Sequence, residues 1–161
     1  MPFSISIWRF RLVDVDSDGQ GMLVLDEAAC RALLRSTRLG RIALTDHALP
    51  MILPVAFTCL DLDIIFRVGS GALARAADAE QVVCFETDWA DSRIAAAWSV
   101  AAIGHLSRVD DPDLIERCRL ADLPAWSGLG DRTQTGATRA DSGGYLTLSP
   151  QVITGRRRRA A

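Results

Sequence analysis

The stretch PMILPVAFTCLDLDIIFRVGSGALARAADA, residues 50–79, decides how this chain folds. Pro50 to Leu60 is a long apolar run rich in β-branched and aromatic residues, which predicts a strand. Asp61, Leu62 and Asp63 then turn the chain into a second run, Ile64 to Val68, so the two read as a hairpin. After Val68 the pattern changes. Glycines at 69 and 71 break the strand, and the alanine-rich segment that follows predicts a short helix entered through them.

The same reading extends in both directions. Upstream, Arg41 to Thr45 predicts another strand, joined to the first through the turn Asp46-His47-Ala48-Leu49. Before it, LDEAACRALLRSTRLG (25–40) predicts a helix with Asp26 as N-cap, an apolar stripe of Leu25, Ala29, Leu33 and Leu34, and Gly40 as its end. Downstream, 81–88 predicts a strand and 89–96 a connector. Residues 98–110 predict a strand long enough to bend, with Gly104 as a bulge. Residues 111–123 predict a helix with Pro112 in its first turn. Residues 127–144 are polar and glycine-rich and read as a loop, and 145–157 read as a closing strand. About six mostly antiparallel strands with peripheral helices imply a mainly β protein, a small barrel, rather than a doubly wound sheet.

At 161 residues the chain is expected to hold one domain, over 23–157, with residues 1–22 as a partly disordered extension and 158–161 as a tail. The net charge of −2 supplies no field to attract nucleic acid or a membrane surface. All 18 basic residues are arginine, so any anion must be held by arginine, backbone N–H groups or hydroxyls. No apolar run reaches the ~18 residues of a membrane span, and the first ten residues do not read as a secretory leader. Cys30, Cys59, Cys84 and Cys118 make no C-x-x-C pair, and with only His47 and His105 beside them no zinc site is expected. They read as reduced, buried residues of a cytoplasmic protein. Asp14, Asp16, Asp18 and Gly19 sit at calcium-loop spacing. Leu25 stands where the closing carboxylate belongs, and no helix precedes the stretch. A solvated acidic turn without calcium is expected.

The ordered set LDEAACRALLRSTRLGRIAL, LPMILPVAF, DIIFRVGSGALARAA, VVCFETD, WSVAAIGHLSRVDDP and LTLSPQVITGRR resembles the pyridoxamine 5′-phosphate oxidase-like split β-barrel flavoproteins. It is most similar to their small actinobacterial branch, which includes the nitroimidazole-reductase-like proteins. The resemblance implies a homodimer with FMN in clefts at the subunit interface, or a deazaflavin or haem in its place. It also implies an oxidoreductase acting on a small molecule. The alternative is a degenerate or non-catalytic protein that holds such a cofactor.

By this resemblance Leu53, Pro54, Val55 and Phe57 line the flavin ring, and Trp98 packs against the cofactor or across the dimer. Phe66, Arg67, Val68 and Ser70 run from a strand into the helix whose first N–H groups suit a phosphate, and Arg67 adds a bidentate donor. The family commonly carries Lys or Arg just after the glycine–serine turn, where this chain has Ala72 and Leu73. The larger oxidases also carry cations where Leu53 and Thr58 stand. Arg75, a helical turn on, is the expected compensation. Without cations for a second phosphate, oxidation of pyridoxamine phosphate itself is not expected. No catalytic acid or base is apparent.

Overall fold

The computed structural model describes residues 22–121, 123 and 144–158. The acidic stretch Asp14 to Asp18, nearly all of the 1–22 extension and all but the last residue of the 127–144 loop lie outside them. The elements run β1 (Leu23–Leu25), α1 (Glu27–Ser36), β2 (Leu39–Asp46), β3 (Leu49–Leu60), β4 (Asp63–Val68), α2 (Ala72–Asp78), β5 (Val82–Asp91), β6 (Ala96–Arg108), α3 (Pro112–Leu120) and β7 (Gly144–Arg158). Every strand pairing is antiparallel. The sheet order is β1-β7-β4-β3-β2-β5-β6, and β6 also pairs with β7, which closes the ring.

Alternation decides what faces inward. Ile42 and Leu44 of β2, Phe57 of β3, Ile64 and Phe66 of β4, Phe85 of β5, Val100 and Leu106 of β6, and Leu146 and Leu148 of β7 fill the interior. Phe85 is its hub: its ring meets Phe57 edge-on at 4.7 Å and Phe66 at 5.5 Å. Against the inner core α1 places Cys30, Leu33 and Leu34, and α2 places Leu73, Ala74, Ala76 and Ala77. A second, smaller cluster joins Cys118 of α3 to Ile65 on the outside of β4.

The mainly β barrel matches the sequence expectation, with three corrections. There are seven strands rather than about six. The extra one, β1, has three residues held by pairing with Gly155, Arg156 and Arg157, too few to show a period. The first helix ends at Ser36, not Gly40. Thr37 turns extended and its N–H reaches the Leu34 carbonyl. Gly40 instead lies inside β2, where an added Cβ would sit 2.3 Å from the Phe85 ring. The connector 89–96 is half strand, because β5 and β6 pair out to Asp91 and Ala96 and only 92–95 form the turn. Other expectations hold. Asp26 caps α1 by accepting the Ala29 N–H at 2.7 Å, Pro112 opens α3, and the β6–β7 register slips between Ile103 and Gly104.

Candidate functional site: an open strand edge beside the glycine turn

The central hairpin builds the site through a change of partner. β3 pairs with β2 over Leu49 to Ala56, and with β4 over Phe57 to Leu60. The two ladders do not overlap. The Phe57 N–H donates to the Arg38 carbonyl at 3.0 Å, so Phe57 faces the β2 side. Along a strand, alternate residues aim their N–H and C=O at the same edge. The odd-numbered residues from Met51 to Phe57 therefore serve β2, and the even-numbered ones face the opposite edge. From Thr58 onward β4 occupies that edge. From Pro50 to Pro54 no strand among the described residues does. Proline carries no N–H, so between Pro50 and Pro54 the sole backbone donor on this open edge is Ile52. The two prolines in an apolar strand were the available sequence signal for an edge.

At the mouth of the split, β4 continues past Phe66 as Arg67 and Val68 and enters the turn Gly69-Ser70-Gly71. Gly71 has φ 108°, and among the described residues nothing lies within 4 Å of the position a Cβ would take at Gly69 or Gly71. The turn is open. The helix beyond it has seven residues and no side-chain cap, which leaves the dipole argument for a phosphate weak.

Of the residues singled out from the sequence, Val55, Phe57, Phe66 and Val68 are buried inside the barrel, and half-buried Leu53 packs on the same core. Pro54, Arg67 and Ser70 lie about the mouth, Arg67 half-buried and the other two exposed. Arg75 does not stand ready for an anion. Its Nε and Nη2 donate to the two Asp46 carboxylate oxygens at 3.1 and 2.7 Å. That guanidinium holds the Asp46 carboxyl below its ordinary range, and the neighbouring His47 adds to the effect. Thr58, where larger oxidases carry a cation, is buried and accepts a hydrogen bond from Arg38 at 2.7 Å. Trp98 is 4% exposed on the inner face of β6, opposite Trp89, and its Nε1 has no hydrogen-bond partner among the described residues. It shares no strand neighbour with β3.

Sequence reasoning missed a feature of the outer face. Ile52, Ala43, Cys84, Ile103 and Val152 are successive cross-strand partners on β3, β2, β5, β6 and β7. They form one apolar row, with Ile52 69%, Ile103 40% and Val152 49% exposed. Beside it runs the row Pro54, Arg41, Glu86, Ala101 and Thr154, in which Arg41 bridges Glu86 and Asp88 at 3.1 and 3.0 Å. No window of the chain displays the apolar row, because each member comes from a different strand.

Residues 26–157 match the family model described as pyridoxamine 5′-phosphate oxidase. The chain belongs to that family. The chain is 31% identical over 136 residues to the uncharacterized protein Rv0080 of Mycobacterium tuberculosis, covering 81% of this chain and 82% of that one. It is 28% identical to the FAD binding protein from Mycobacterium smegmatis, with TM-score 0.65 over 84% of this chain and 99% of that one. The FAD and heme binding protein from Mycobacterium smegmatis shares the fold, at 15% identity and TM-score 0.61 over 84% of this chain and 72% of that one. Among the described residues, no helix is long and apolar enough to cross a membrane, and no cluster of His, Cys, Asp and Glu suits a metal ion.

Proposed function

We propose that this protein is a flavin-dependent oxidoreductase that takes FMN and works as a homodimer. The observation that carries the reading is the partner switch on β3. It opens a polar backbone edge beside an uncrowded glycine turn and Arg67, on a chain of a family whose relatives include named FAD-binding proteins. The donor set suits a flavin. The edge offers an N–H and carbonyls to the polar rim of a ring, and Arg67 with Ser70 offers charge and a hydroxyl to a phosphate. A bound flavin supplies hydride or electron transfer. The chain supplies position: β3 and the turn set where a ring and a phosphate lie, and the barrel core keeps β3 rigid.

The outer apolar row supports the dimer, since a second copy laid on it would remove Ile52, Ile103 and Val152 from water inside a charged rim. Four free cysteines support a reducing, cytoplasmic setting. The engagement of Arg75 by Asp46, with the missing cations at Ala72 and Leu73, favours a second reading, a protein that holds flavin, deazaflavin or haem without turnover. Purified protein tests both. A flavin spectrum that bleaches with reduced nicotinamide supports the oxidoreductase. A spectrum that does not bleach supports the second reading, and a colourless protein that binds no added FMN, deazaflavin or haem refutes both. Arg67→Ala is expected to weaken FMN roughly ten- to a hundredfold, the worth of a charged hydrogen bond, and to leave riboflavin nearly unchanged. Equal weakening of both ligands would remove Arg67 from the phosphate site.

A further inference from the structure

We infer that His105 makes the association of two copies sensitive to pH, an inference that rests on the dimer reading above. The neutral ring packs into the contact, and the protonated ring loosens it. His105 lies on β6 between buried Gly104 and Leu106, so its side chain is on the outer face with Ile103. Its cross-strand partners are Val82 on β5 and Ser149 on β7. That row runs directly beside the apolar one. Ile103 is two residues away along β6, and Cys84 is the diagonal neighbour on β5. The ring is exposed in the single chain, and Val82 opposite it is 57% exposed. A second copy laid on Ile103 and Val152 therefore reaches the imidazole.

One hydrogen bond decides which nitrogen exchanges the proton. His105 Nδ1 lies 3.0 Å from the Glu80 carbonyl oxygen. A carbonyl oxygen only accepts, so Nδ1 carries a hydrogen in both states of the ring. The proton that comes and goes is the one on Nε2. The fold holds this tether in place: Glu80 has φ 47°, its N–H donates to the Ala77 carbonyl at 3.0 Å, and the Gln81 carbonyl accepts the Leu106 N–H at 3.0 Å. The groups about the ring do little for an added charge. β5 presents Val82 and the Cys84 thiol, whose pKa burial raises, with Glu86 adding to the effect. β7 presents Ser149. Helices α1 and α2 pack on β6 from the inner side, where Asp78 of α2 is engaged by Arg108. Glu80, in the turn before β5, is exposed to water. The charges a second copy carries on the same face, Arg41, Glu86 and Asp88, already pair with one another. An imidazolium enclosed between Val82, Ile103 and a second apolar row opposes association, whereas the neutral ring is buried with them.

The sign follows from linkage. The paired state binds fewer protons than two separate chains, so association weakens as pH falls through the range in which histidines titrate. Sedimentation of the full chain over a dilution series, at about pH 7.5 and about pH 5.5, brackets that range. The dimer dissociation constant of the parent is expected to rise roughly ten- to a hundredfold at the lower pH, since each copy brings one such proton. His105→Gln keeps a polar neutral side chain and is expected to associate equally at both. His47→Gln, at the tip of the β2–β3 hairpin beside Asp46, is expected to keep the parent's dependence. The carboxyls of Asp46 and Asp78, held below their ordinary range, titrate beneath this window. A parent constant that does not move, or moves equally in His105→Gln, overturns the switch and leaves the dimer standing. Loss of the parent's native circular dichroism at the lower pH assigns the change to unfolding and also overturns it. Monomers at both pH values overturn the switch and the dimer together.

Discussion

Gly104 lies where β6 slips by one residue against β7, and the slip brings the two backbones close. A Cβ at this position would stand 2.1 Å from the Ser149 carbonyl oxygen and 2.9 Å from its carbon. Both are backbone atoms in the middle of a ladder, so no rotamer change relieves the overlap. Gly104→Ala is therefore expected to destabilise the fold by about 2–3 kcal/mol, the upper range for overpacking. Gly69→Ala, whose Cβ would meet nothing within 4 Å, is the control and is expected to change stability by less than ~1 kcal/mol. Urea unfolding of the three proteins checks this. Equal midpoints for Gly104→Ala and the parent would refute the close-approach argument. The glycine was legible in the sequence as a bulge, because it interrupts a long strand pattern. Gly40 was misread as a helix end because its reason, the Phe85 ring, comes from a strand more than forty residues away.

Among the described elements, α2 carries two charge tethers, both in its last turn. Asp46 of β2 grips Arg75, and Asp78 grips Arg108 of β6, with Nη2 donating at 3.0 Å. Each guanidinium lowers the pKa of its carboxyl partner. The sign follows from linkage. The unfolded chain takes up these protons near pH 4, before the folded one does, so the contribution is full above about pH 4 and is lost as pH falls through the lowered folded-state values. Asp46→Asn and Asp78→Asn are expected to lower Tm at pH 7, and the gap to the parent should narrow steadily below pH 4. Parallel Tm curves across that range would show that the two pairs do not act as tethers. One partner of each pair, Arg75 and Asp78, is about half exposed, so added salt should narrow the gap too. The helix itself was readable from its alanines. Its tethers were not, since Asp46 and Arg75 are far apart in sequence, as are Asp78 and Arg108.

At the scale of the molecule, the outer row predicts the assembly. A two-fold contact uses the same patch on both copies, and a row with Cys84 at its centre and opposite charges on Arg41 and Glu86 beside it can meet itself. Light scattering at micromolar concentration is expected to give twice the monomer mass of 17.5 kDa. Ile103→Asp places a charge in the row without touching the β3 edge, and is expected to give monomers that keep the native circular dichroism spectrum. A monomeric parent would refute the dimer, and a dimeric Ile103→Asp would move the interface to another face.

What the sequence determined by itself was local. Strands, helices, caps and the hairpin at 50–79 followed from period, propensity and turn residues, all written within a few neighbours of each other. The order of those elements sufficed for the barrel and for the family. The tertiary structure alone decided where backbone and side chains are left over. Ring closure through β6 and β7 set which strand faces water. The divergence of β4 from β3 after Phe66 left the Ile52 edge without a strand among the described residues. Five strands had to be laid in register before Ile52, Ala43, Cys84, Ile103 and Val152 became one surface. These features depend on which residues are opposite one another across strands, and that register is a property of the closed sheet, not of any segment of the chain.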